Sequence, residues 1–478
     1  MKNDSSASFL ASFSRLSSLV FFSPFLSSLV FRLSSILLSL SRKFFHPRHK
    51  MLDIRKIREN PEYYIAETEK KYTTVSLKDV LAIDEERRPL LTEVERLKSE
   101  RNAESKRIGD LKKKGENADE AVAAMRALGD KIDEMDKKLK ELDFKQTEML
   151  MHVPNIAPRS PEGKDSSDNV VEKDGPIPFD YYTKNDDFAR VDHKTLGERL
   201  GIFDFERGAK ISGSGFPVYR GLGSRLERAL IQFFLDEHQK AGFEEFTPPY
   251  LVTRNTMRGT GQLPKFEEDM YRCDKDDDLF LIPTAEVPLT NLYSGEVIPE
   301  SELPKRICAY SACFRREAGS YGKDTRGLLR LHQFNKVEMV YFAHPEHSYE
   351  DHEELTRFGE MLLEKLGLPY HRLALCKGDL GFGAAKCYDL EVYAPVEKKW
   401  LEVSSCSNFE DYQARRANIK TKVNGKNAFL HTLNGSGLAT PRVMVGICDN
   451  YQQKDGSLKI PEVLRPYMGG MEFIKPKA

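Results

Sequence analysis

Four short segments of this sequence gather side chains that make little sense as core. In CFRREAGSYGKDTRGLLRLHQFNKVEMV, Arg315 and Glu317 stand at the end of an apolar strand pattern. A glycine-rich basic loop with Lys323 and Arg326 follows, and the return strand carries Arg330, Phe334 and Glu338. Strand alternation puts Phe334, Lys336 and Glu338 on one face. A ring and an acid on such a face, opposite an arginine, can hold adenine by stacking and a phosphate by a bidentate fork. LNGSGLATPRVMVGICDNYQ sets Asn434 and Ser436 on a glycine-rich turn, then opens an apolar helix with Arg442 on its first turns. KWLEVSSCSN offers Glu402, Ser404 and Ser405, and LIPTAEVPLT offers Thr284 and Glu286 at a strand end between two prolines. Carboxylates, arginines and small hydroxyls in this mix suit an ammonium, a small hydroxyl and a triphosphate with its divalent cation.

Other chemistries are excluded by spacing. The pairs Gly213 and Gly215, and Gly221 and Gly223, lack the third glycine and the acidic residue of a dinucleotide site, so they read as turns. No GxxxxGK[ST] phosphate loop and no HExxH zinc motif occurs. His344, His347 and His352 lie among acids, but offsets of 3 and 5 do not share one helical face, so the segment reads as a solvated helix start. No zinc is expected. Seven cysteines, an odd number with no CxxC pair, argue against a disulfide scaffold and read as buried thiols in a reduced, intracellular chain.

These segments need a framework. From about residue 176 to 478, short apolar strands alternate with turns and a few amphipathic helices, without strict βα alternation, which predicts an antiparallel sheet of the α+β class. The helix around Leu226, Leu230, Phe233 and Phe234 ends at Gly242, and FEEFTPPYLV reads as a strand interrupted by Pro248 and Pro249. Residues 51–155 differ. Leu90, Val94, Leu97, the tolerated Arg101 and Glu104, Ile108 and Leu111, then Leu128, Ile132, Met135, Leu139, Leu142, a polar Gln146 and Met149, step by 3 and 4 in each half, the stripe a two-stranded coiled coil needs. Gly115 stops the first helix and Asn117 can cap the second. This predicts an antiparallel hairpin of about 30 to 35 residues per helix, projecting roughly 45 to 50 Å. Lys112, Lys113 and Lys114 lie near its tip, with Lys98, Arg101, Lys106 and Arg107 along one arm. On pattern alone it is either a packing hairpin or a lever for a large partner. Residues 156–175, rich in Pro, Ser and Asp, read as a linker.

Lys and Arg number 73 against 74 Asp and Glu, so bulk charge cannot hold a polyanion and any nucleic acid must meet local patches. Residues 1–50 stand apart, with 14 Ser, 7 Lys or Arg and one acid, Asp4. They read as a start assigned ahead of Met51, as a transit peptide, or, least well because Ser, Pro24 and Arg32 break the apolar run, as a membrane anchor. The expectation is an extension outside the fold on a cytoplasmic protein, or an organellar one if the segment is a true transit peptide, with no membrane partner.

Five segments then carry a resemblance: TAEVPLTNLYSGE, CFRREAGSYGKDTRGLLRLHQF, KVEMV, SSCSNFEDYQARR and HTLNGSGLA. In order and spacing they closely resemble seryl-tRNA synthetase of the ordinary bacterial type, a class II aminoacyl-tRNA synthetase, and the likeness runs from about Met51 to the C-terminus. It implies ATP and Mg2+ as the chemistry's partners, L-serine as substrate, and tRNA(Ser), with tRNA(Sec) where such a tRNA exists. The hairpin becomes the arm that grips the long variable arm of that tRNA. The first class II signature is the helix and strand ending at Pro249, at a homodimer interface. The second runs from Phe314 to Phe334, and the third from Gly437, Leu438 and Ala439 to Arg442.

By that resemblance Arg315 holds the α-phosphate, Glu317 the adenine amino group, and Phe334 stacks on adenine. Arg330 and Arg442 clamp the outer phosphates, while Glu402 and Ser405 hold phosphate-bound magnesium. Arg316, Val403 and Ser404 complete the ATP segments. Thr284, Ala285, Glu286, Glu338, Asn434 and Ser436 form the serine pocket, with Arg315 near the carboxylate. Which of Glu286 and Glu338 takes the ammonium and which the hydroxyl stays open. Pro441 departs from the glycine common before that arginine, and a helix's first turn tolerates proline. Two rivals are a paralogue that loads a carrier protein, which would lack the arm, and a non-catalytic homologue, which would need a broken site. The arm, Arg315, Glu317, Glu402 and Arg442 are all present.

Overall fold

The computed structural model describes residues 52–476 except 72, 74, 274, 276 and 319–325. The extension 1–50 and Lys323 lie outside the described residues.

Two long helices follow a short helical start. Helix α1 (Leu77–Lys114) begins where the Ser76 hydroxyl accepts the Lys78 N–H, and ends at Gly115, whose φ of +73° suits glycine. The Asn117 side chain accepts the Asp119 N–H at 2.8 Å and opens α2 (Asp119–Met151). Val94, Leu97 and Ile108 are buried against Ile132, Leu139 and Gln146, as the stripe predicts. The first helix, at 38 residues, exceeds the expected length because it runs through Pro89 without a break. At the root, buried Asp84 takes Gln146, Arg58 and Arg88 together.

The body is built on eight strands: β1 (Val170–Asp174), β2 (Glu244–Glu245), β3 (Lys305–Phe314), β4 (Gln333–Ala343), β5 (Tyr370–Ala374), β6 (Lys386–Ala394), β7 (Lys399–Asn408) and β8 (His431–Ala439). Their order is β1-β5-β6-β7-β8-β4-β3-β2, and every pairing is antiparallel except β2 with β3. Helices α3 (Leu222–Lys240), α5 (Ser348–Leu366) and α7 (Thr440–Tyr451) bury Leu226, Leu230, Phe234, Leu355, Leu363, Val443 and Ile447 with the sheet residues Val337, Met339 and Tyr341. Alternation sends Phe334, Lys336 and Glu338 the other way, into a cleft. Two further short helices, α4 (Glu286–Asn291) and α6 (Tyr412–Ala417), close that side.

Some expectations change. Residues 156–175 are no free linker: Ser160 donates to the Ala385 carbonyl, Lys377 N–H to the Pro161 carbonyl, and Val170–Asp174 forms the edge strand of the sheet. Only two valines mark that strand, too few to show in a polar stretch. Asn434 and Ser436 sit on β8, opposite Val340 and Glu338, and not on a turn. The glycines beside them serve close packing: a Cβ on Gly435 would lie 2.4 Å from Leu355, and one on Gly437 2.7 Å from His238. His352 is no solvated residue; it is buried, stacks on Tyr388 and donates Nε2–H to the Cys406 carbonyl. Six cysteines are buried, while Cys273 is only half-buried.

Candidate active site

A cleft of about 680 Å³ lies over β4, β7 and β8. At one end the chain leaves β3 at Arg315, whose N–H pairs with the His332 carbonyl at 2.9 Å. The Arg315 guanidinium lies 5.1 Å from the centre of the Phe334 ring, near enough to share its face with a planar ligand. Glu317 takes φ of +55°, an uncommon backbone for a non-glycine residue, and its carboxylate pairs with Arg330. Arg442, on the first turn of α7, donates Nε–H to the Leu329 carbonyl at 3.2 Å and Nη1–H to the Glu402 carbonyl at 2.9 Å.

Glu402 and Ser405 are three residues apart, which in a regular strand puts them on opposite faces. Here the register slips: Leu390 faces Ser404, Glu391 faces Glu402, and Val403 is the extra residue of a β-bulge. The bulge restores the phase, so Glu402, Ser405 and Ser407 all line the cleft. Behind them Asp389, opposite Ser405, is half-buried, and desolvation followed by the nearby Glu402 charge drives its carboxyl well above the usual range. A carboxylate and a hydroxyl turned to one space fit a hard, oxygen-seeking cation.

The other end of the cleft is small and buried. Thr284 Oγ1 donates to Glu338 at 3.1 Å and accepts from Lys336 Nζ at 3.0 Å; Lys336 also pairs with Glu338, and Asn434 Nδ2 donates to it at 3.2 Å. Glu286 opens α4 and is buried, its Oε1 taking Gln413 Nε2 at 2.6 Å. Burial, with the Glu338 charge second, pushes the Glu286 carboxyl up to about 7. Glu338 is also raised by burial.

Most expected residues therefore converge on the cleft: Thr284, Glu286, Arg315, Glu317, Arg330, Phe334, Glu338, Glu402, Val403, Ser405, Asn434, Ser436 and Arg442. Three do not. Ser404 lies beneath, its hydroxyl on the Ser436 carbonyl at 2.7 Å, because the bulge moves the alternation past it. Ala285 packs in an apolar cluster with Leu289 and Val340. The Arg316 N–H goes to the Asp269 carbonyl and its side chain is not among the lining. Lys336 and Gln413 are missing from the expected site. Alternation places Lys336 on the right face, but no local pattern marks Gln413, which arrives from 127 residues beyond Glu286.

On the arm, Lys106, Lys112, Lys113 and Lys114 are exposed, Arg101 is half-buried, and Arg107 pairs with Glu104. Lys98 instead bridges the two helices through Asp136 at 2.7 Å. Among the described residues, His344, Glu346 and His347 bring possible metal-ligand atoms within 4.8 Å of one another, away from the cleft lining.

A mostly antiparallel sheet in which the adjacent strands β3 and β4 are joined through a segment bearing an arginine and a glutamate, with β8 running into an arginine-bearing helix, defines a class II aminoacyl-tRNA synthetase core. The family description "tRNA synthetase class II core domain (G, H, P, S and T)" matches residues 269–451, and "Seryl-tRNA synthetase N-terminal domain" matches residues 51–157. The chain belongs to the seryl-tRNA synthetase family. It is 51% identical over 423 residues to the serine–tRNA ligase of Carboxydothermus hydrogenoformans, covering 88% of this chain and 98% of that one. Against that of Clostridium tetani it is 50% identical over 434 residues, covering 89% and 100%. The seryl-tRNA synthetase of Pyrococcus horikoshii, solved with ATP, superposes with a TM-score of 0.81 at 38% identity, covering 90% of this chain and all of that one. Among the described residues no helix is long and apolar enough to cross a membrane.

Proposed function

We propose that this chain is a serine–tRNA ligase that activates L-serine with ATP and passes it to tRNA(Ser). What carries the reading is one cleft with two chemically opposite ends: buried acids and hydroxyls at Glu286, Glu338 and Thr284, and guanidinium groups at Arg315, Arg330 and Arg442. The serine carboxylate attacks the α-phosphorus in line, the bond to the bridging oxygen breaks, and pyrophosphate leaves. No enzyme nucleophile is needed. Arg315 draws carboxylate and α-phosphate together, and Arg330 and Arg442 meet charge on the leaving phosphates. The terminal ribose hydroxyl of the tRNA then attacks the acyl carbon, and AMP departs.

Within the amino-acid end the two acids take different roles. Glu338 already answers Lys336, Thr284 and Asn434, so it suits the neutral serine hydroxyl. Glu286 has a glutamine amide and, among the described residues, no paired cation, so it suits the ammonium. A hydroxyl met by buried polar groups rejects alanine, whose methyl would leave them unpaired; the extra methyl of threonine must be shut out by shape.

Glu402 and Ser405 would hold Mg2+ that enters with ATP, and such an ion neutralises phosphate charge. The exposed lysines of the arm tip and Arg101, Lys106 and Arg107 form the tRNA grip, which extends to tRNA(Sec) because it reads arm length and backbone charge. Helix α3 and strand β2, leading to Pro249, form a homodimer contact, and the chain works in the cytoplasm. The test is serine-dependent ATP–pyrophosphate exchange by protein beginning at Met51, with threonine and alanine as controls. Exchange with serine alone is expected; no exchange from folded protein that binds tRNA overturns the reading.

A further inference from the structure

Helix α6 faces two ways. On one side the Tyr412 hydroxyl donates to the Val153 carbonyl at 2.8 Å, and Arg416 Nη2 donates to the Met151 carbonyl at 3.0 Å and to the Tyr412 oxygen at 2.7 Å. Those carbonyls lie at the end of α2, where a helix's last acceptors lack internal donors and its dipole favours a cation. On the other side Gln413 is 1% exposed. Its Nε2 donates to Glu286 Oε1 at 2.6 Å and to the Thr260 carbonyl at 3.3 Å, and its Oε1 accepts from Thr432 Oγ1 at 2.8 Å. Two acceptors on one side and a hydroxyl on the other fix which way the amide points.

We infer that Gln413 is a positioning residue for amino-acid selection: held rigid by α6, it turns the Glu286 carboxylate so that its second oxygen meets the ammonium of serine. The inference rests on the reading of Glu286 given above. Glu286 shares a buried end with Glu338, and the charged groups around it are Glu338, Lys336 and Arg315. Lys336 is committed to Glu338 and Thr284, so among the described residues the Gln413 amide is the fixed donor to the Glu286 carboxylate. A buried carboxylate without a donor turns or takes a proton, and either spoils an ammonium site.

The test compares Gln413→Leu with Glu286→Gln in ATP–pyrophosphate exchange, reading KM for serine, KM for ATP and the pH profile. Loss of a hydrogen bond to a charged group is worth about 10- to 100-fold. Gln413→Leu is therefore expected to raise the serine KM at least about tenfold, leave the ATP KM within about twofold, and move the acidic limb of serine kcat/KM to higher pH. A merely structural role would move both KM values together. On the Glu286→Gln background, Gln413→Leu should add little, since the two act through one contact. If Gln413→Leu is insoluble, Gln413→Asn, which withdraws the amide by one methylene, is read the same way. An unchanged serine KM in either folded variant, with Glu286→Gln impaired, overturns this inference alone. An unchanged serine KM in Glu286→Gln overturns the role of Glu286 itself.

Discussion

Arg442 and Glu402 are joined across the join of α7 and β7: Arg442 Nη1 donates to the Glu402 backbone carbonyl at 2.9 Å and lies 3.4 Å from its carboxylate. With Nε on the Leu329 carbonyl, two main-chain acceptors aim the guanidinium before any phosphate arrives. A fork fixed in this way loses little freedom on meeting charge that develops during the reaction. The same contact sets the arginine beside the carboxylate proposed to hold the metal, so the two elements proposed to meet the phosphates keep a common register.

Arg442→Lys should retain the charge and lose this aim, because a lysine ammonium cannot span both carbonyls. We expect kcat for pyrophosphate exchange to fall about 100-fold, the scale of losing one fixed charge-stabilising donor. The thermal midpoint should barely move, since Arg442 is a third exposed. Exchange kinetics and a melting curve on the same sample check both halves.

Glu286 makes activity and stability pull apart with pH. Its carboxyl titrates at about 7 in the fold against 4.5 for an ordinary glutamate. The protonated form is thus favoured by folding: that stability is complete below about 4.5 and is lost as pH rises through about 7. In the role proposed for Glu286 serine binding needs the carboxylate, so serine kcat/KM should fall as pH drops below about 7. Glu286→Gln should bind serine poorly, and from pH 4.5 to 8 it should gain up to about 3 kcal/mol of stability relative to the parent. Urea unfolding at the two pH values measures this; equal differences at both would remove the buried charge from the account.

Much of this architecture was legible because it is periodic. The 3-and-4 stripe gave the hairpin, Gly115 and Asn117 gave its turn, and alternation from Phe334 to Glu338 gave one face of the cleft. What stayed hidden depends on contacts distant in sequence. The bulge at Val403 leaves no compositional mark, so Ser404 looked as available as Ser405. Gly435 and Gly437 look like a turn because the sequence does not show α5 and α3 pressing on β8. Gln413 and the edge strand Val170–Asp174 are set by residues more than a hundred positions away.

Gly435 offers a direct check of that packing. An added methyl would lie 2.4 Å from Leu355 Cδ2, 2.9 Å from Cys406 Sγ and 3.2 Å from Met339 Cε, all on buried residues. Gly435→Ala should therefore destabilise by about 1–3 kcal/mol, as overpacking does. It should also raise the serine KM, because β8 carries Asn434 and Ser436 on either side. Denaturant midpoints and serine titrations decide between this and a flexible turn, which would absorb the methyl without loss.

The arm can be tested by removal, because its root closes naturally. Asp84 and Gln146 already meet at 3.1 Å, so the two helices can be rejoined by a short turn after deleting residues 85–145. Arg58 still reaches Asp84 from outside the deletion, and Arg416 and Tyr412 still hold the end of α2 at Met151 and Val153. Adenylate formation should survive at near-parental rate, since no residue of 85–145 lines the cleft. Charging of tRNA(Ser) should collapse. Reversing Lys112, Lys113 and Lys114 to Glu should give a milder form of the same split, with tRNA affinity weakened most at low salt because released counterions drive such contacts. Lys98→Met serves as the control: that lysine is committed to Asp136, so charging should change little. Normal charging by the deletion would leave the hairpin a packing element, and equal loss from Lys98→Met and the tip reversal would place the contact along the arm instead of at its tip.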